Sequence, residues 1–482
     1  MATIHQNSLP IGDQPQDLSP HELFATQREA FRAAQPDYAK RWNALDLLEK
    51  TVVGNQNEIV RATDADFGGR ARQETLLLEL APLLDSIRHA KRHLAAWMKP
   101  RKVSAGIQFF PAAARILCQP LGVVGIIGAW NYPTFLTLSP LVDALAAGNH
   151  VLLKPSELAP RTAELLRQLI ASIFPREYIA VVTGDEKTAA AFASLPFDHL
   201  LFTGSTRVGK LIMRAASEHL TPVTLELGGK SPAIVHPEFP LKTAVARIVM
   251  GKLYNAGQTC LAPDYVLVHE SQLNAFVESA REVARSLYPT WSDNADYTRI
   301  INRSHFDRLA RHVDDASARG AQVVPLGENT EGCNSANRVF PPVVLLNVDD
   351  TMLVMQEEVF GPILPILTYR HLDDALKYVN DHPRPLALYY FDHNARRVAR
   401  VLKSTVSGGV TINDVIYHIA QNNLPFGGVG PSGIGHYHGR AGFETFSKQK
   451  GVLIQSRFST LRFLRPPYGQ FVERVIRFLL RK

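Results

Sequence analysis

The pattern of apolar and polar positions changes near residue 116. Residues 20–100 repeat apolar positions at helical spacing, as in Glu74 to Trp97, which predicts a helical region. From residue 116, short runs of Val, Ile and Leu alternate with glycine- and proline-rich turns and with helical stretches. Runs that are apolar at every position predict strands buried on both faces, and their alternation with helices predicts a parallel, doubly wound sheet.

This alternation of strands and helices occurs twice. The first series contains apolar runs that begin at Gly122, His150, Ile179, His199 and Val223. The second begins near residue 233 and extends to about residue 412. Two series predict two α/β domains, and a chain of 482 residues has room for a third unit at about 150 residues per domain.

Composition points to a protein of the cytoplasm. The chain is 46% hydrophobic and 20% charged, as expected of large soluble cores. Its cysteines form neither a CxxC motif nor metal-ligand spacing, and they suit a reducing compartment; Cys118 is expected in the core and Cys333 in an exposed loop. The first 20 residues lack the pattern of a signal peptide, and the apolar stretch Leu121 to Trp130 is too short to span a bilayer.

The net charge of +7 is concentrated at the C-terminus. Residues 457–482 hold seven basic residues and one acidic residue, Glu473, so they carry +6 of the +7. The basic residues are Arg457, Arg462, Arg465, Arg474, Arg477, Arg481 and Lys482. No RRM, helix-turn-helix or zinc-finger signature accompanies this charge, so we expect no nucleic-acid partner.

Two segments carry the candidate covalent chemistry. Cys260 ends the segment Gly257-Gln-Thr-Cys, where small neighbours, a backbone N–H and a helix start would favour a thiolate and stabilise an oxyanion. Glu226 lies 34 residues upstream at the end of an apolar run and is a candidate general base. The side-chain amide of Asn131 can donate to an oxyanion, although an Asn before an aromatic and a proline is also typical of a turn.

Two glycine patterns compete for the binding of phosphate. Gly428 to Gly433 matches GxGxxG, but it follows no strand and Pro431 interrupts it, so it predicts a structural loop. Gly204 and Ser205 follow an apolar run and open a helix, whose free N–H groups and dipole attract phosphate. This segment resembles a P-loop, but Leu211 stands where Mg²⁺ binding requires Ser or Thr, which argues against ATP hydrolysis. A plain turn is the alternative to a pyrophosphate site.

Two further segments with charged residues are candidates for cofactor binding; one ends an apolar run and the other forms a turn. Lys154 and Glu157 lie at the carboxyl edge of the predicted sheet, where they could hold ribose hydroxyls or form a solvated pair. Glu358 precedes Phe360 in a turn and could accept bonds from a nicotinamide ribose or remain solvated. The histidines form no HExxH motif or obvious cluster, so we expect no metal.

Six motifs together resemble the aldehyde dehydrogenase superfamily over roughly residues 20–450. They are WNYP (130–133), KPSE (154–157), FTGS (202–205), LELGGK (225–230), GQTC (257–260) and EEVFGP (357–362). Gln258 to Tyr265, Arg299 to Asn302 and Pro425 to Gly439 are similar to class 3 members. Ile87 to Arg101 resembles the coniferyl aldehyde dehydrogenase branch.

The resemblance implies an α/β fold with three units. A Rossmann-like, doubly wound cofactor domain would cover residues 1–102 and 118–228, and a second α/β catalytic domain residues 229–412. A small β oligomerisation module would combine residues 103–117 with 413–482, including the basic tail. The family resemblance also implies a homodimer.

The resemblance further implies NAD(P)-dependent oxidation of an aldehyde to its acid. Cys260 would form a thiohemiacetal and then a thioester, Asn131 would stabilise the oxyanion, and Glu226 would activate water. NAD is expected, with NADP as an alternative, because Glu157 would repel a 2′-phosphate. The cofactor residues would be Trp130, Lys154, Glu157, Gly204, Ser205, Glu358 and Phe360. Tyr132, Met250 and His438 would contact an aromatic or cinnamyl aldehyde such as coniferyl aldehyde, or an aliphatic one.

Four alternatives stay open. A CoA-acylating or phosphorylating dehydrogenase shares the cysteine but needs no hydrolytic base, which Glu226 would be. A thiol esterase or protease would pair Cys260 with a histidine, and none lies in the local sequence. The others are a class 3-like fatty aldehyde dehydrogenase and a binding protein without catalysis on the same fold.

Residues 470–482 predict an amphipathic helix. Phe471, Val475, Phe478 and Leu479 share one face. The helix could pack in a dimer, lie on an anionic membrane, or cover a substrate entrance as in fatty-aldehyde relatives. We favour packing on the protein with partial gating of substrate over peripheral membrane contact.

Overall fold

A computed structural model of the chain describes residues 18–106, 109–327 and 333–480. Residues 1–17 of the predicted cofactor domain, residues 107–108 of the predicted oligomerisation module, and Arg481 and Lys482 of the basic tail lie outside the described residues. In the described ranges the strands form three sheets, and none of the helices is long and apolar enough to cross a membrane.

The N-terminal region is helical, as its spacing predicts. Its helices are α1 (Pro20–Ala33), α2 (Tyr38–Gly54), α3 (Gln56–Phe67), α4 (Arg72–Thr75), a π-helical turn (Leu76–Leu80) and α5 (Ala81–Trp97). Helix α1 begins with a capping box in which Ser19 and Glu22 bond each other's backbone N–H. Helix α5 buries Leu83, Ile87 and Leu94 on one face, which packs against α2 and α6.

The first alternating series forms a six-stranded sheet in the order β15-β7-β6-β3-β4-β5. Its strands are β3 (Val123–Ile127), β4 (His150–Lys154), β5 (Ile179–Val181), β6 (His199–Thr203), β7 (Val223–Glu226) and β15 (Gly433–Ile434). Its helices are α6 (Pro133–Ala147), α7 (Pro160–Ile173), α8 (Glu186–Ala193) and α9 (Thr206–Ser217). All pairs are parallel except β15 with β7, and every residue of β3, β4 and β6 is buried. The predicted doubly wound sheet is confirmed.

The second series forms a seven-stranded sheet in the order β10-β11-β12-β9-β8-β13-β14. Its strands are β8 (Pro232–Val235), β9 (Tyr265–His269), β10 (Gln322–Pro325), β11 (Val343–Leu346), β12 (Ile363–Tyr369), β13 (Ala387–Phe391) and β14 (Gly409–Ile412). Its helices are α10 (Leu241–Leu253), α11 (Leu273–Leu287), α12 (Arg303–Ala318), α13 (Leu353–Gln356), α14 (Leu372–Asp381) and α15 (Ala395–Ser404). Only the pair β10–β11 is antiparallel among the described strands of this sheet.

A small antiparallel sheet, in the order β1-β2-β16, joins two distant parts of the chain. It contains β1 (Arg101–Val103), β2 (Ala113–Pro120) and β16 (Ser447–Ile454), and the helices α16 (Gly439–Thr445) and α17 (Gln470–Leu480) flank β16 in sequence. Cys118 was expected in the core; it is partly buried and packs against the main hydrophobic core from β2, a strand without a fully buried residue. Cys333, which we expected to be exposed, is also partly buried.

Candidate active site

Four strands of the six-stranded sheet end at the edge where the predicted site residues lie. Lys154 ends β4, Glu226 ends β7, Ser205 follows β6, and Asn131 follows β3. The backbone N–H of Gly204 donates to the Glu226 carbonyl at 3.0 Å, which joins two of these segments. The chain leaves β3 for β4 on one side and β6 lies on the other, so the edge is a topological switch point, where open α/β sheets bind ligands.

The loop that carries Cys260 has an unusual backbone. Asn255 and Ala256 both have φ near 51°, and Gly257 has φ of 76°, which are left-handed conformations. A Cβ at Gly257 would lie 2.3 Å from the Gly361 carbonyl oxygen, so glycine is required where the loop passes the Glu357–Pro362 segment. The sequence therefore places Cys260 and Glu358 on segments in direct contact.

Gln258 fixes this loop and links it to Asn131. Its side-chain amide donates to the carbonyls of Asn255 (2.9 Å) and Arg299 (3.0 Å) and accepts from the Ile301 N–H (2.9 Å). Its backbone carbonyl accepts from Asn131 Nδ2 at 3.1 Å. A side-chain amide has two N–H groups, so a second one remains for a developing oxyanion beside Cys260.

The thiol of Cys260 is not poised as a thiolate in the protein alone. Burial raises its pKa, and the nearby carboxyl groups of Glu358 and Glu226 raise it further. The backbone N–H groups of Cys260 and Leu261 act in the opposite direction. Small neighbours had led us to expect a favoured thiolate, and this expectation is wrong because two carboxylates and desolvation outweigh the N–H groups.

Glu226 faces a part of the site where polar atoms have no protein partner. The residue is 3% exposed, and neither carboxyl oxygen has a hydrogen-bond partner within the described protein. Burial raises its pKa well above the usual value. The Tyr437 hydroxyl is likewise buried without a partner in the described protein; burial raises its pKa, and the charges of Glu226 and Cys260 raise it further. Such groups call for water or a polar ligand.

Glu358 is held against the glycines that follow Glu226. A Cβ at Gly228 would lie 1.8 Å from Glu358 Oε2, and the Gly229 N–H bonds to the carboxylate. Burial raises the Glu358 pKa to about 8. Arg308 donates to the Glu358 carbonyl at 3.2 Å and to that of Val359 at 2.8 Å, which fixes the turn from the opposite side.

Trp130 and Phe360 meet although 230 residues separate them. Their ring centroids lie 5.4 Å apart in an edge-to-face arrangement, and His305 packs 5.0 Å from Trp130. Phe360 has φ of 45°, an uncommon conformation for an aromatic residue. The structure thus brings together two predicted cofactor residues, one from the segment after β3 of the six-stranded sheet and one from the segment before β12 of the seven-stranded sheet.

The predicted adenosine side has the donors and acceptors that a dinucleotide needs. Lys154 is 1% exposed; its ammonium donates to the Pro155 carbonyl at 2.9 Å and lies 3.5 Å from Glu157 Oε2. Ser205 caps α9 and accepts from the Val208 N–H at 3.4 Å. The Thr203 hydroxyl is buried without a protein partner at the same edge. A carboxylate, an ammonium and a helix N-terminus fit ribose hydroxyls and pyrophosphate.

The three predicted substrate residues lie on different elements. Tyr132 is tied to the nucleophile loop, since its hydroxyl lies 2.7 Å from Thr259 Oγ1. Met250 is partly buried in the last turn of α10, directly before that loop. His438 is buried, and its ring stacks on that of Phe426 with centroids 5.4 Å apart. Neither ring nitrogen has a hydrogen-bond partner within the described part of the chain, and burial lowers its pKa to about 3.

Sequence reasoning missed several charged residues near the site. Glu74 and Glu79 are buried on the N-terminal helical region, and Lys252 is buried on α10 with an ammonium that has no hydrogen-bond partner in the described protein. Burial lowers the Lys252 pKa to about 8. The detectable signal was an acid inside the apolar run 76–80, since charges seldom occupy such positions unpaired. Across the described residues, no group of three or more His, Cys, Asp or Glu side chains could hold a metal ion.

Known proteins match both the sequence and the fold. The model of the aldehyde dehydrogenase family matches residues 21–452. A protein of Pseudomonas aeruginosa named as a probable coniferyl aldehyde dehydrogenase is 52% identical over 94% of this chain and 94% of its own. The coniferyl aldehyde dehydrogenase of a Pseudomonas species is 47% identical over 100% and 99% of the two chains.

Among solved structures, the substrate-bound state of Staphylococcus aureus AldH superimposes with a TM-score of 0.90 at 38% identity. The alignment covers 95% of this chain and 99% of that one. These similarities extend through both large sheets and the small one.

Proposed function

The chain belongs to the aldehyde dehydrogenase family, and we propose that Cys260, Asn131 and Glu226 convert aromatic or cinnamyl aldehydes to acids at the site described above. The predicted activity, NAD(P)-dependent oxidation of an aldehyde, is confirmed by the family and by the coniferyl aldehyde dehydrogenases. The residue assignment depends chiefly on one observation. The Asn131 amide is bonded to the Gln258 carbonyl, two residues before Cys260, on the side of the loop that needs an oxyanion donor.

In the first half-reaction, Cys260 supplies the nucleophile. The thiol gives its proton to water, its sulfur forms a bond to the aldehyde carbon, and the electron pair of the C=O π bond moves to the oxygen, which becomes an oxyanion. The Asn131 amide and the Cys260 N–H donate to that oxygen, which lowers the barrier because both donors are already in place. A bound NAD(P) would supply the hydride acceptor for oxidation of the thiohemiacetal to the thioester at Cys260.

In the second half-reaction, Glu226 supplies the base. A water molecule between Glu226 and the thioester loses its proton to the carboxylate as its oxygen attacks the carbonyl carbon. The C–S bond then breaks, and the acid and the Cys260 thiolate separate. A partnerless carboxyl oxygen suits this task, since hydrogen bonds to protein donors would weaken it as a base.

NAD(P) fits the residues at both ends of its proposed site. Lys154 and Glu157 would hold the adenosine ribose, and the backbone N–H groups near Gly204 and Ser205 the pyrophosphate. Glu358 would accept bonds from the nicotinamide ribose. We propose NAD as the preferred form, because the Glu157 carboxylate would repel a 2′-phosphate.

An aromatic substrate is supported by the polar and aromatic groups around Glu226. The Tyr437 hydroxyl and the His438 ring nitrogens are buried and partnerless, and Phe135 and Phe426 pack on His438 with ring centroids 6.2 and 5.4 Å away. A phenolic or cinnamyl ring offers both a flat apolar surface and polar substituents. The names of the two Pseudomonas relatives support the same choice.

The test is a panel of cinnamyl, aromatic and long-chain aliphatic aldehydes, each followed by NADH or NADPH absorbance. We expect the highest kcat/KM for cinnamyl aldehydes with NAD and no requirement for CoA or phosphate. Higher kcat/KM for long aliphatic aldehydes would overturn the aromatic assignment in favour of a fatty aldehyde dehydrogenase. A rate that depends on CoA or phosphate would overturn the hydrolytic role of Glu226.

We also propose a cytoplasmic homodimer. Strand β14 forms one edge of the seven-stranded sheet and β16 forms one edge of the small sheet, so each has a side without a strand partner among the described residues. Such edges pair readily with another strand. Exposed Leu453 and Ile454 near the end of β16 add apolar surface. The three cysteines are free, which suits a reducing compartment.

The division into domains 1–102 with 118–228, 229–412, and 103–117 with 413–482 stays a proposal. The three separate sheets support it. Two details soften its boundaries: β1 begins at Arg101 and β2 ends at Pro120, so the small sheet extends past 103–117. In addition, β15 from the C-terminal part pairs with β7.

A further inference from the structure

A buried cluster of charges lies next to the loops of Asn131 and Cys260. Arg70, Glu74 and Glu79 are 4%, 7% and 0% exposed. The Arg70 guanidinium lies 3.3 Å from Glu79. Burial raises the pKa of both Glu74 and Glu79, and the positive charge of Arg70 acts in the opposite direction on each. Burying three charges is costly, so the bonds they make to the surrounding backbone require an explanation.

Glu74 holds the left-handed turn before Cys260. Its Oε1 accepts from the Asn255 N–H at 2.9 Å, and its Oε2 accepts from the Thr298 hydroxyl at 2.6 Å. Asn255 and Ala256 both adopt φ near 51°, which disfavours an alanine in particular. The carboxylate supplies a partner for a buried N–H that the turn removes from helix α10.

Asn255 in turn joins the two halves of the proposed oxyanion site. Its Nδ2 donates to the Asn131 carbonyl at 3.0 Å and to the Gln258 carbonyl at 3.1 Å. The Asn131 carbonyl also accepts from Arg70 Nη1 at 2.9 Å, and the Asn131 amide donates to Gln258. Fixing the Asn255 backbone therefore fixes the distance between Asn131 and Cys260.

We propose that Glu74 is a positioning residue for the oxyanion site. Its hydrogen bonds in the described protein go to the Asn255 N–H and the Thr298 hydroxyl, and it acts by holding Asn255 so that the two oxyanion donors converge. This inference rests on the proposed roles of Asn131 and Cys260. What matters is the reach of the Glu74 carboxyl oxygen to the Asn255 N–H, and its negative charge is secondary.

Two substitutions separate reach from charge. Glu74→Gln keeps the length and one acceptor oxygen, and its new amide can donate to the Thr298 hydroxyl, which then accepts. Glu74→Asp keeps the charge but is one methylene shorter. We expect Glu74→Gln to keep kcat within about threefold. Glu74→Asp should lower kcat about 10²-fold, the size of effect that a misplacement of about 1 Å produces, with KM and the Kd for NAD unchanged.

A double-mutant cycle distinguishes positioning from general stability. In an Asn131→Ala background the oxyanion donor is gone, so Glu74→Asp should cost at most about threefold more. A purely structural role would instead give the same additional loss in both backgrounds. Asp66 provides a matched control, because it accepts from the backbone N–H groups of Arg161 and Thr162 at the start of α7. Asp66→Ala should lower Tm without changing kcat.

Failure of the positioning role of Glu74 can be distinguished from failure of the proposed function. If Asn131→Ala is inactive while Glu74→Asp is fully active, the positioning role is wrong and the proposed function stands. If Cys260→Ala retains activity, the proposed function fails whatever Glu74 does. Should Glu74→Asp not fold, Thr298→Val removes one of the bonds that orient the carboxylate. A kcat for Thr298→Val that falls at least threefold at constant KM supports the proposal, and an unchanged kcat overturns it.

Discussion

The two sides of the Cys260 thiol differ in how their polar atoms are satisfied. On the partnered side, defined by Asn131, Asn255 and Gln258, carbonyl and amide groups are joined by hydrogen bonds of 2.9 to 3.1 Å, and Asn255 Oδ1 is the buried side-chain atom of these three residues that has no partner in the described protein. On the open side, defined by Glu226, Tyr437 and His438, the side-chain polar atoms are buried and have no partner in the described protein.

The difference matches the two halves of the reaction. Oxyanion stabilisation needs donors fixed before the charge develops, because reorganising them during the reaction would cost free energy. Hydrolysis needs a base that can meet a water molecule and a pocket that can take different substrates. The rigid partnered side meets the first requirement. The open side, whose polar atoms have no hydrogen-bond partner in the described protein, meets the second, and both sides act on the same cysteine.

Removing the group that both sides share should have the largest effect. Cys260→Ala eliminates the covalent intermediate, so aldehyde oxidation should fall at least about a hundredfold. NAD binding, measured by fluorescence quenching, should stay nearly normal because the proposed cofactor contacts lie elsewhere. Activity above about a hundredth of the wild-type rate would show that Cys260 is not the nucleophile, and the assignment of both sides would then fail.

Glu226→Gln tests the open side alone. Acylation needs no water, so one burst of NADH per active site should remain, while steady-state turnover should fall by about 10²–10⁴-fold. Stopped-flow absorbance resolves the burst from turnover. Glu58→Gln, at an exposed carboxylate of α3, is the control and should turn over normally. Unaltered steady-state turnover in Glu226→Gln would refute its role as the base.

Asn131→Ala tests the partnered side alone. It removes one oxyanion donor, worth roughly 3 kcal/mol or about 10²-fold in kcat. The burst itself should slow, which contrasts with Glu226→Gln, because the donor acts during acylation. Cofactor affinity should change little. A normal turnover number would return Asn131 to the role of a turn residue.

The sequence predicts the residues proposed to react better than the residues that hold them in place. Cys260, Glu226 and Asn131 stand in short motifs that end apolar runs, so local pattern identifies them. Glu74 is 181 residues from Asn255 and stands in a helical stretch, where no local rule connects it to a turn. The strand runs predict β3, β4, β6 and β7 well, whereas α6 begins at Pro133, earlier than its apolar pattern from Leu138 indicates.

The raised pKa of Cys260 could not be predicted from local sequence either. It depends on burial and on Glu358, which is 98 residues away and reaches the site through the glycines after Glu226. Local reasoning counted the N–H groups near the cysteine and could not count carboxylates brought in by the fold. This kind of error is expected wherever a titratable group meets distant charges.

A smaller effect, whose sign is defined, is expected on the pKa of the Cys260 thiol when Glu358 or Glu226 is replaced. An ionised carboxylate disfavours the thiolate, so Glu358→Gln and Glu226→Gln should each lower the Cys260 pKa, and Glu358→Gln should lower it more. The pH profile of iodoacetamide alkylation in the cofactor-free protein measures this pKa. Alkylation at a given pH should therefore be faster in both variants. Slower alkylation would mean that the carboxyl groups assist deprotonation of the thiol.

The smallest expected effect concerns the C-terminal helix. In α17, Val472 is 6% exposed and packs on the protein, whereas Phe478 and Leu479 are 77% and 61% exposed. The prediction that this helix partly gates substrate is testable by deleting residues 468–482. If α17 covers the outer end of the open side, KM should rise more for long aldehydes than for short ones. A rise in KM of roughly fourfold is expected for long aldehydes, which corresponds to the loss of one methylene contact of about 0.8 kcal/mol.

The truncation also decides between protein and membrane as the surface that α17 covers. Substituting Phe478 and Leu479 by Ser keeps the helix length and basic residues, and it should reproduce the chain-length effect if apolar covering of substrate is the cause. Binding to anionic liposomes, measured by sedimentation, should be unchanged in both variants. If the preference for chain length stays as in the full chain while liposome binding disappears, the helix serves the membrane, because a basic amphipathic helix is drawn to anionic lipid. The open side would then have no cover from α17.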